Sequence, residues 1–271
     1  MEKSANIFRF KQFCVVNERS AMKVNTDGVL LGALMTILPG DCRLLDIGTG
    51  TGTIALMAAQ RLAHISVGQG ISCPRTVDAV VALAGQNVPI HIDAIDIDEP
   101  SATEAAANFR NSPWADALHA HHASLDEFAI RSEESDCDRK YDLIFSNPPY
   151  FEDSMTAPDG RKSMARHTSV GLSYRDIFDF ASERLSESGR VALVLPADQE
   201  NAVCRYARMS GLHLQKLTRI RTVPRKAPSR IVAEFSRVRT ASPEDIILTI
   251  QDSGEYTREY LDLMHEFYLF A

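Results

Sequence analysis

The 271-residue sequence has few cysteines, one tryptophan and no long apolar run. Cys14, Cys42, Cys73, Cys137 and Cys204 are scattered and form no C-x-x-C pair. This argues against a disulfide framework or a zinc knuckle and suits a reducing cytoplasm, where the protein is expected. The longest apolar stretch, residues 29–40, is about half of the roughly 20 residues that a membrane span requires. The opening Met1-Glu2-Lys3-Ser4 leads into no apolar signal region, so neither membrane insertion nor secretion is expected. No internal repeat, low-complexity tract or cluster of metal ligands stands out. His119, His121 and His122 alternate on a predicted strand and read as structural, so no metal is expected.

A basic excess is also lacking, since the formal net charge is −7. The charge is nevertheless segregated. Residues 91–138 carry 12 acidic and 2 basic side chains, residues 216–239 carry 8 basic and 1 acidic, and residues 240–271 return to −6. An acidic chain with one basic segment can still bind a polyanion on one face.

What is present is alternation of strand-like and helix-like runs. Cys42–Ile47, Ile90–Asp96, Leu118–Ala123, Tyr141–Ser146 and Arg190–Leu195 read as strands. Val29–Leu38, Thr53–Leu62, Pro100–Asn111, Tyr174–Leu185 (stopped by Gly189) and Asp198–Ser210 read as helices. Repeated strand–helix units predict a mostly parallel sheet covered by helices, with ligands at the carboxyl ends of the strands. Residues 64–89 are too long for a helix-to-strand loop and read as an insertion, with a short helix predicted at Val77–Leu83. Residues 127–140 read as a charged surface loop.

Asp46-Ile47-Gly48-Thr49-Gly50-Thr51-Gly52 lies between a predicted strand and a helix, where glycines permit a tight turn and close approach to a ligand. A dinucleotide loop would need a third glycine where Thr53 stands. The D-x-G-x-G-x-G spacing instead resembles motif I of S-adenosylmethionine-dependent methyltransferases. Asp96, at the end of the second core strand and followed by Ile97 and Asp98, can accept both hydroxyls of a ribose. That feature alone suits NAD and S-adenosylmethionine equally.

Asn147-Pro148-Pro149-Tyr150 ends the predicted strand Tyr141–Ser146. Two prolines remove two backbone donors and hold the corner extended. The Asn147 side-chain oxygen and the Pro148 carbonyl can each accept one N–H of a planar amine. Together they draw the nitrogen lone pair out of conjugation, while Tyr150 stacks on the ring. Here the sequence resembles the amino-methyltransferases, whose fourth motif is (N/D/S)-P-P-(Y/F/W). They act on adenine N6, cytosine N4 or the glutamine amide of release factors.

The resemblance narrows at both ends of the chain. Phe8-Arg9-Phe10-Lys11-Gln12-Phe13, residues 22–32 (Met22 to Gly32), Ala165-Arg166-His167-Thr168 and Phe267-Tyr268-Leu269 are similar to segments of the bacterial tRNA(Val) adenine-N6 methyltransferases. These modify the adenosine just 3′ of the anticodon. The likeness covers nearly the whole chain. It implies a Rossmann-like class I methyltransferase with a mostly parallel seven-stranded sheet and an antiparallel C-terminal hairpin. One domain is expected over 1–271. Residues 1–39 would cover substrate and cofactor, residues 40–210 would form the cofactor-binding core, and residues 211–271 would add the hairpin, a strand and a helix.

Further site residues follow as what the resemblance implies. Lys23, Thr26 and Asp27 would cover the methionine end of S-adenosylmethionine; Thr26 or Asp27 can equally cap a helix. Asp46, Gly48, Thr49, Gly50, Gly52, Asp96, Ile97, Ser124 and Asn147 would bind the cofactor. Asn147, Pro148, Pro149 and Tyr150 would carry the chemistry. Tyr150, Arg166, His167, Arg225, Lys226 and Arg230 would contact tRNA, with the basic stretch on the phosphates of the anticodon arm. Arg166 and His167 can also be a solvated loop pair, and the basic stretch solvated strand faces.

The expected chemistry is direct methyl transfer governed by proximity, with no metal, nucleophile or strong general base. A monomer is expected. The alternatives are a release-factor glutamine-amide methyltransferase, which usually carries a helical N-terminal substrate domain, and a DNA adenine-N6 methyltransferase, for whose target-recognition domain no residues remain. A non-catalytic RNA-binding protein of the same fold is a further alternative.

Overall fold

The computed structural model describes residues 6–68, 80–83, 86–134, 140–149 and 171–271. An N-terminal hairpin, β1 (Ile7–Arg9) and β2 (Cys14–Val16), leads into helix α1 (Thr26–Leu34). Strand β3 (Arg43–Ile47) and helix α2 (Thr53–Gly68) follow, then a small antiparallel pair, β4 (Val80–Leu83) and β5 (Gln86–Pro89). The alternation resumes with β6 (His91–Asp96), α3 (Glu99–Arg110), β7 (Leu118–His122), α4 (Leu125–Glu134) and β8 (Tyr141–Ser146). Next come α5 (Tyr174–Arg184), β9 (Leu185–Pro196) and α6 (Glu200–Met209). The C-terminal part holds β10 (His213–Arg221), β11 (Arg230–Ser236), β12 (Glu244–Thr249), the two-residue strands β13 (Gln251–Asp252) and β14 (Glu255–Tyr256), and α7 (Arg258–Met264).

The main sheet has eight strands in the order β12-β10-β11-β9-β8-β3-β6-β7. Only β11 runs against the rest. The expected antiparallel hairpin is β10–β11. The count differs from seven because the strand expected in the C-terminal segment joins the sheet, with β12 alongside β10 in parallel.

Alternate residues of the central strands point to opposite faces, and both faces are covered. Leu44, Ile92, Leu143 and Phe145 pack under α1, α2, α3 and α7. Leu45, Ile95, Ile144 and Leu193 pack under α4, α5 and α6. This double cover explains why these strands read as continuous apolar runs.

Several local expectations are corrected. Residues 80–83 form a strand rather than part of a helix, as β-branched Val80 and Val81 favour. The loop expected from residue 127 is helix α4. Ser124 and Glu127 form a reciprocal cap at its start, and Leu125, Phe128 and Ala129 turn one face into the core. Helix α5 stops before Gly189, with Leu185 already extended (ψ 143°). Gly189 instead lies where a side chain would strike the Tyr141 carbonyl. The cap of α1 is Asn25 and neither of the expected Thr26 and Asp27.

Candidate active site

Register places the ends of β3, β6 and β8 at one rim. Ile47 pairs with Ile95 on one side and Ser146 on the other, and the Ser146 hydroxyl donates to the Ile47 carbonyl at 2.6 Å. The glycine turn starts there. Gly48 and Thr49 donate their N–H groups to the Ile95 carbonyl, each at 2.9 Å, which lashes the turn to β6. Gly50, at φ +56°, then donates to Asp96 Oδ2 at 2.8 Å, and Asp98 donates its N–H to Asp96 Oδ1 at 2.9 Å. Each carboxylate oxygen of Asp96 is thereby oriented by one backbone N–H and keeps further acceptor capacity. Burial raises the Asp96 pKa, which these two hydrogen bonds oppose.

Gly48, Gly50, Asp96, Ile97, Ser124, Asn147 and Pro149 line one cavity of ≈ 450 Å³. That size suits a nucleoside-sized ligand. Met22 and Ala21 close it from the N-terminal segment, and Leu172 and Asp176 lie on the side of α5. Asn147 is 6% exposed, and its Nδ2 faces Asn25 Oδ1 at 3.4 Å and Met22 Sδ at 3.6 Å.

Other expected residues are not in the cavity wall. Asp46 is fully buried beneath the turn, where Thr49 Oγ1 donates to its Oδ2 at 2.8 Å. Burial, with the nearby charge of Asp96, pushes the Asp46 carboxyl up to about 7 against the Thr49 hydrogen bond. Asp46 and Thr49 therefore support the turn from below. Gly52 (φ +80°) faces α3, where a Cβ would stand 2.5 Å from the Phe109 ring. Pro148 is buried in the corner.

Lys23 turns back on its own segment, Nζ donating to the carbonyls of Asn17 and Glu18. Thr26 is exposed in the first turn of α1, and Asp27 is paired with Arg230. Ser124 does line the cavity, but its backbone N–H and hydroxyl are engaged in capping α4. Tyr150, Arg166 and His167 lie outside the described residues.

The cavity's cover depends on residues that the motifs did not mark. Buried Glu104 accepts the backbone N–H groups of Glu18, Arg19 and Ser20 at 2.7, 2.8 and 2.9 Å. Asn108, one turn along α3, takes the N–H of Val16 and donates to the carbonyls of Val16 and Thr51. These two side chains strap residues 16–20 onto α3 and set Met22 beside Gly50. A lone Glu and a lone Asn inside a predicted helix carry no signal of such contacts.

Part of the basic stretch is neutralised. Arg219 pairs with Glu200 and Asp245, Lys216 lies 3.7 Å from Glu234, and Arg230 pairs with Asp27. Arg225 and Lys226 are exposed in the β10–β11 turn and meet no acid among the described residues. Arg221 pairs with Thr249, and Arg230 with Pro196 at the end of β9, so this turn sits on the same rim as the cavity.

The histidines have structural partners. His91 and His121 both contact Asp93 Oδ1, at 3.1 and 2.8 Å, and His119 stacks on His91. Burial works against the Asp93 charge, but the bonds to His121 and His91 outweigh it and hold the carboxyl well below the usual range. No group of three or more candidate metal ligands occurs among the described residues. No helix among them is long and apolar enough to cross a membrane.

The RMKL-like methyltransferase domain family matches residues 35–221. A tRNA1(Val) (adenine(37)-N6)-methyltransferase from Flavobacterium psychrophilum is 35% identical over 97% of this chain and 99% of its own. Its counterpart from Flavobacterium johnsoniae is 37% identical over 97% and 99%. That from Bacteroides fragilis is 36% identical over 98% and 99%.

Among solved structures, a predicted O-methyltransferase from Agrobacterium tumefaciens superposes with a TM-score of 0.54 at 15% identity, over 89% of this chain and 96% of its own. A T. thermophilus 16S rRNA N2 methyltransferase, in complex with AdoMet and guanosine, gives 0.52 at 16% identity, over 87% and 52%. Fold, glycine turn and family match together define a class I, Rossmann-like methyltransferase that uses S-adenosylmethionine. The oriented Asp96 carboxylate and the glycine backbone on one cavity wall fit that nucleoside cofactor. Within this class, the chain belongs to the tRNA1(Val) (adenine(37)-N6)-methyltransferase family.

Proposed function

We propose that this protein methylates N6 of an adenosine in tRNA, the one just 3′ of the anticodon in a tRNA(Val). The observation that carries the reading is that Asn147 and Pro149 share one cavity with Gly48, Gly50 and Asp96. A donor held by the glycine turn and an amine held at the Asn-Pro-Pro corner would therefore meet in one cavity. The relatives' identity of 35–37% over nearly full length supports the choice of RNA base.

When bound, S-adenosylmethionine supplies an activated sulfonium methyl group. Asp96 would hold its ribose hydroxyls, and Gly48, Gly50, Ile97 and Ser124, which line the same cavity, would complete the contacts to it. The Asn147 side-chain oxygen and the Pro148 carbonyl accept the two N–H groups of the target amine, and Tyr150 stacks on its ring. Two acceptors on one amine would draw its lone pair out of the ring and orient it, so orientation would supply the rate. Arg225 and Lys226 contact phosphates of the anticodon arm and bring the base to the rim.

The test is methylation of unmodified tRNA with labelled S-adenosylmethionine, followed by mapping of the labelled nucleotide. Label at adenine N6 beside the anticodon is expected. Label in a protein glutamine, or none in RNA, overturns the reading.

A further inference from the structure

The Asn-Pro-Pro corner fixes its backbone, but it leaves one choice open. A carboxamide is nearly isosteric end for end, and its terminal torsion is broad. Only one orientation gives the target amine an acceptor; the other confronts it with a second donor. Something outside the corner must set that choice.

We propose that Asn25 is a positioning residue that sets it, an inference that rests on the reading of Asn147 as acceptor for the target amine. Asn25 caps α1 from an extended conformation, φ −137° and ψ 163°. Its Oδ1 accepts the Gly28 N–H at 2.8 Å, and its Nδ2 donates to the Lys23 carbonyl at 3.0 Å. Those two backbone partners are of opposite kind. Turning Asn25 end for end would set oxygen against oxygen and N–H against N–H, so its orientation is locked. The same Oδ1 faces Asn147 Nδ2 at 3.4 Å, and Met22 Sδ approaches that nitrogen at 3.6 Å. Both of these atoms are acceptors. Asn147 must present its NH₂ to them, which puts Oδ1 on the opposite side of the amide as the acceptor the amine needs. The capped end of a helix thus dictates, through two amides, the polarity of the group at the reacting nitrogen.

The lever acts on transfer and not on cofactor binding, since Asn25 is outside the cavity wall. That separates it from a purely structural cap. Serine is as good a cap as asparagine but too short to reach Asn147. Aspartate caps and still offers an acceptor oxygen toward Asn147, giving up the bond to the Lys23 carbonyl, where its second oxygen replaces a donor. Asn25→Ser is therefore expected to melt near the wild-type temperature and keep its S-adenosylmethionine Kd by calorimetry. Its kcat on unmodified tRNA should fall about 10- to 100-fold, the scale on which misorientation acts. Asn25→Asp is expected to retain kcat within a few-fold.

Wild-type kcat in Asn25→Ser, or an equal loss in Asn25→Asp and Asn25→Ser, overturns the positioning role. Asn147→Ala measured in parallel separates the two layers. If it is inactive while Asn25→Ser is fully active, only the Asn25 role fails. If Asn147→Ala is itself active, the reading of Asn147 fails and the inference goes with it.

Discussion

Arg230 Nε donates to Asp27 Oδ2 at 2.8 Å, joining the turn end of the β10–β11 hairpin to the first turn of α1 across 203 residues of sequence. The pair ties the exposed Arg225–Lys226 turn to the helix whose cap holds Asn147. It also spends the charge of a residue expected to contact tRNA directly. Both side chains are partly exposed, at 34% and 22%. Breaking such a pair should cost stability of about 1 kcal/mol or less. Asp27→Asn should therefore fold normally. It should also bind tRNA with a steeper salt dependence, because the Asp27 charge that offsets Arg230 is removed. An unchanged slope in filter-binding titrations would count against this arrangement.

Arg225 and Lys226 are the cations of that turn without an acidic neighbour among the described residues. Replacing both by alanine should weaken tRNA binding and lower the slope of log K against log salt by roughly 2. S-adenosylmethionine affinity should not change. Arg219→Ala, by contrast, should chiefly lower the melting temperature, because Arg219 is held by Glu200 and Asp245.

Asp46 predicts a pH dependence of stability. Its ordinary value is 3.8 and burial lifts it to about 7 in the folded chain. Between those values the folded state keeps a proton that the unfolded state has released. This group's contribution is therefore full below pH 3.8, falls by about 1.4 kcal/mol per pH unit across the window, and levels off above 7. Asp46→Asn keeps an acceptor for the Thr49 hydroxyl and removes the titration. Urea titrations from pH 5 to 8 should show the variant gaining on wild type as pH rises; parallel curves would reject the shift.

Glu104 predicts a loss that reaches the cofactor from behind. Glu104→Ala leaves the part-buried N–H groups of Glu18 and Arg19 and the buried one of Ser20 without their acceptor, at a cost of roughly 1–3 kcal/mol. The released segment no longer holds Met22 beside Gly50, so S-adenosylmethionine Kd should rise. Thermal melts and calorimetry together check this; a stability loss with unchanged Kd would confine Glu104 to the scaffold.

The central strands were legible because each is buried on both faces and short. Tyr141–Ser146 matches its predicted bounds, and β3 and β6 lie within one residue of theirs. The glycine turn was legible because only a few residue types permit that backbone, and the place of Asp96 because it ends a core strand. The span from residue 127 was misread because charge outweighed a weak apolar face. The readings of Asp46, Thr49 and Gly52 did not distinguish lining a cavity from supporting it. Those residues share the motif but sit below or behind the turn.

The sequence by itself determined the class of fold and the order of the core elements. Local backbone rules and burial periodicity act over a few residues and leave their mark on composition. Only the tertiary structure decided which basic residues keep their charge for a partner, which buried acid straps the N-terminal segment, and which amide orients Asn147. Those outcomes depend on pairs far apart in the chain, such as Asp27 with Arg230 and Asn25 with Asn147. Packing alone brings each pair into contact.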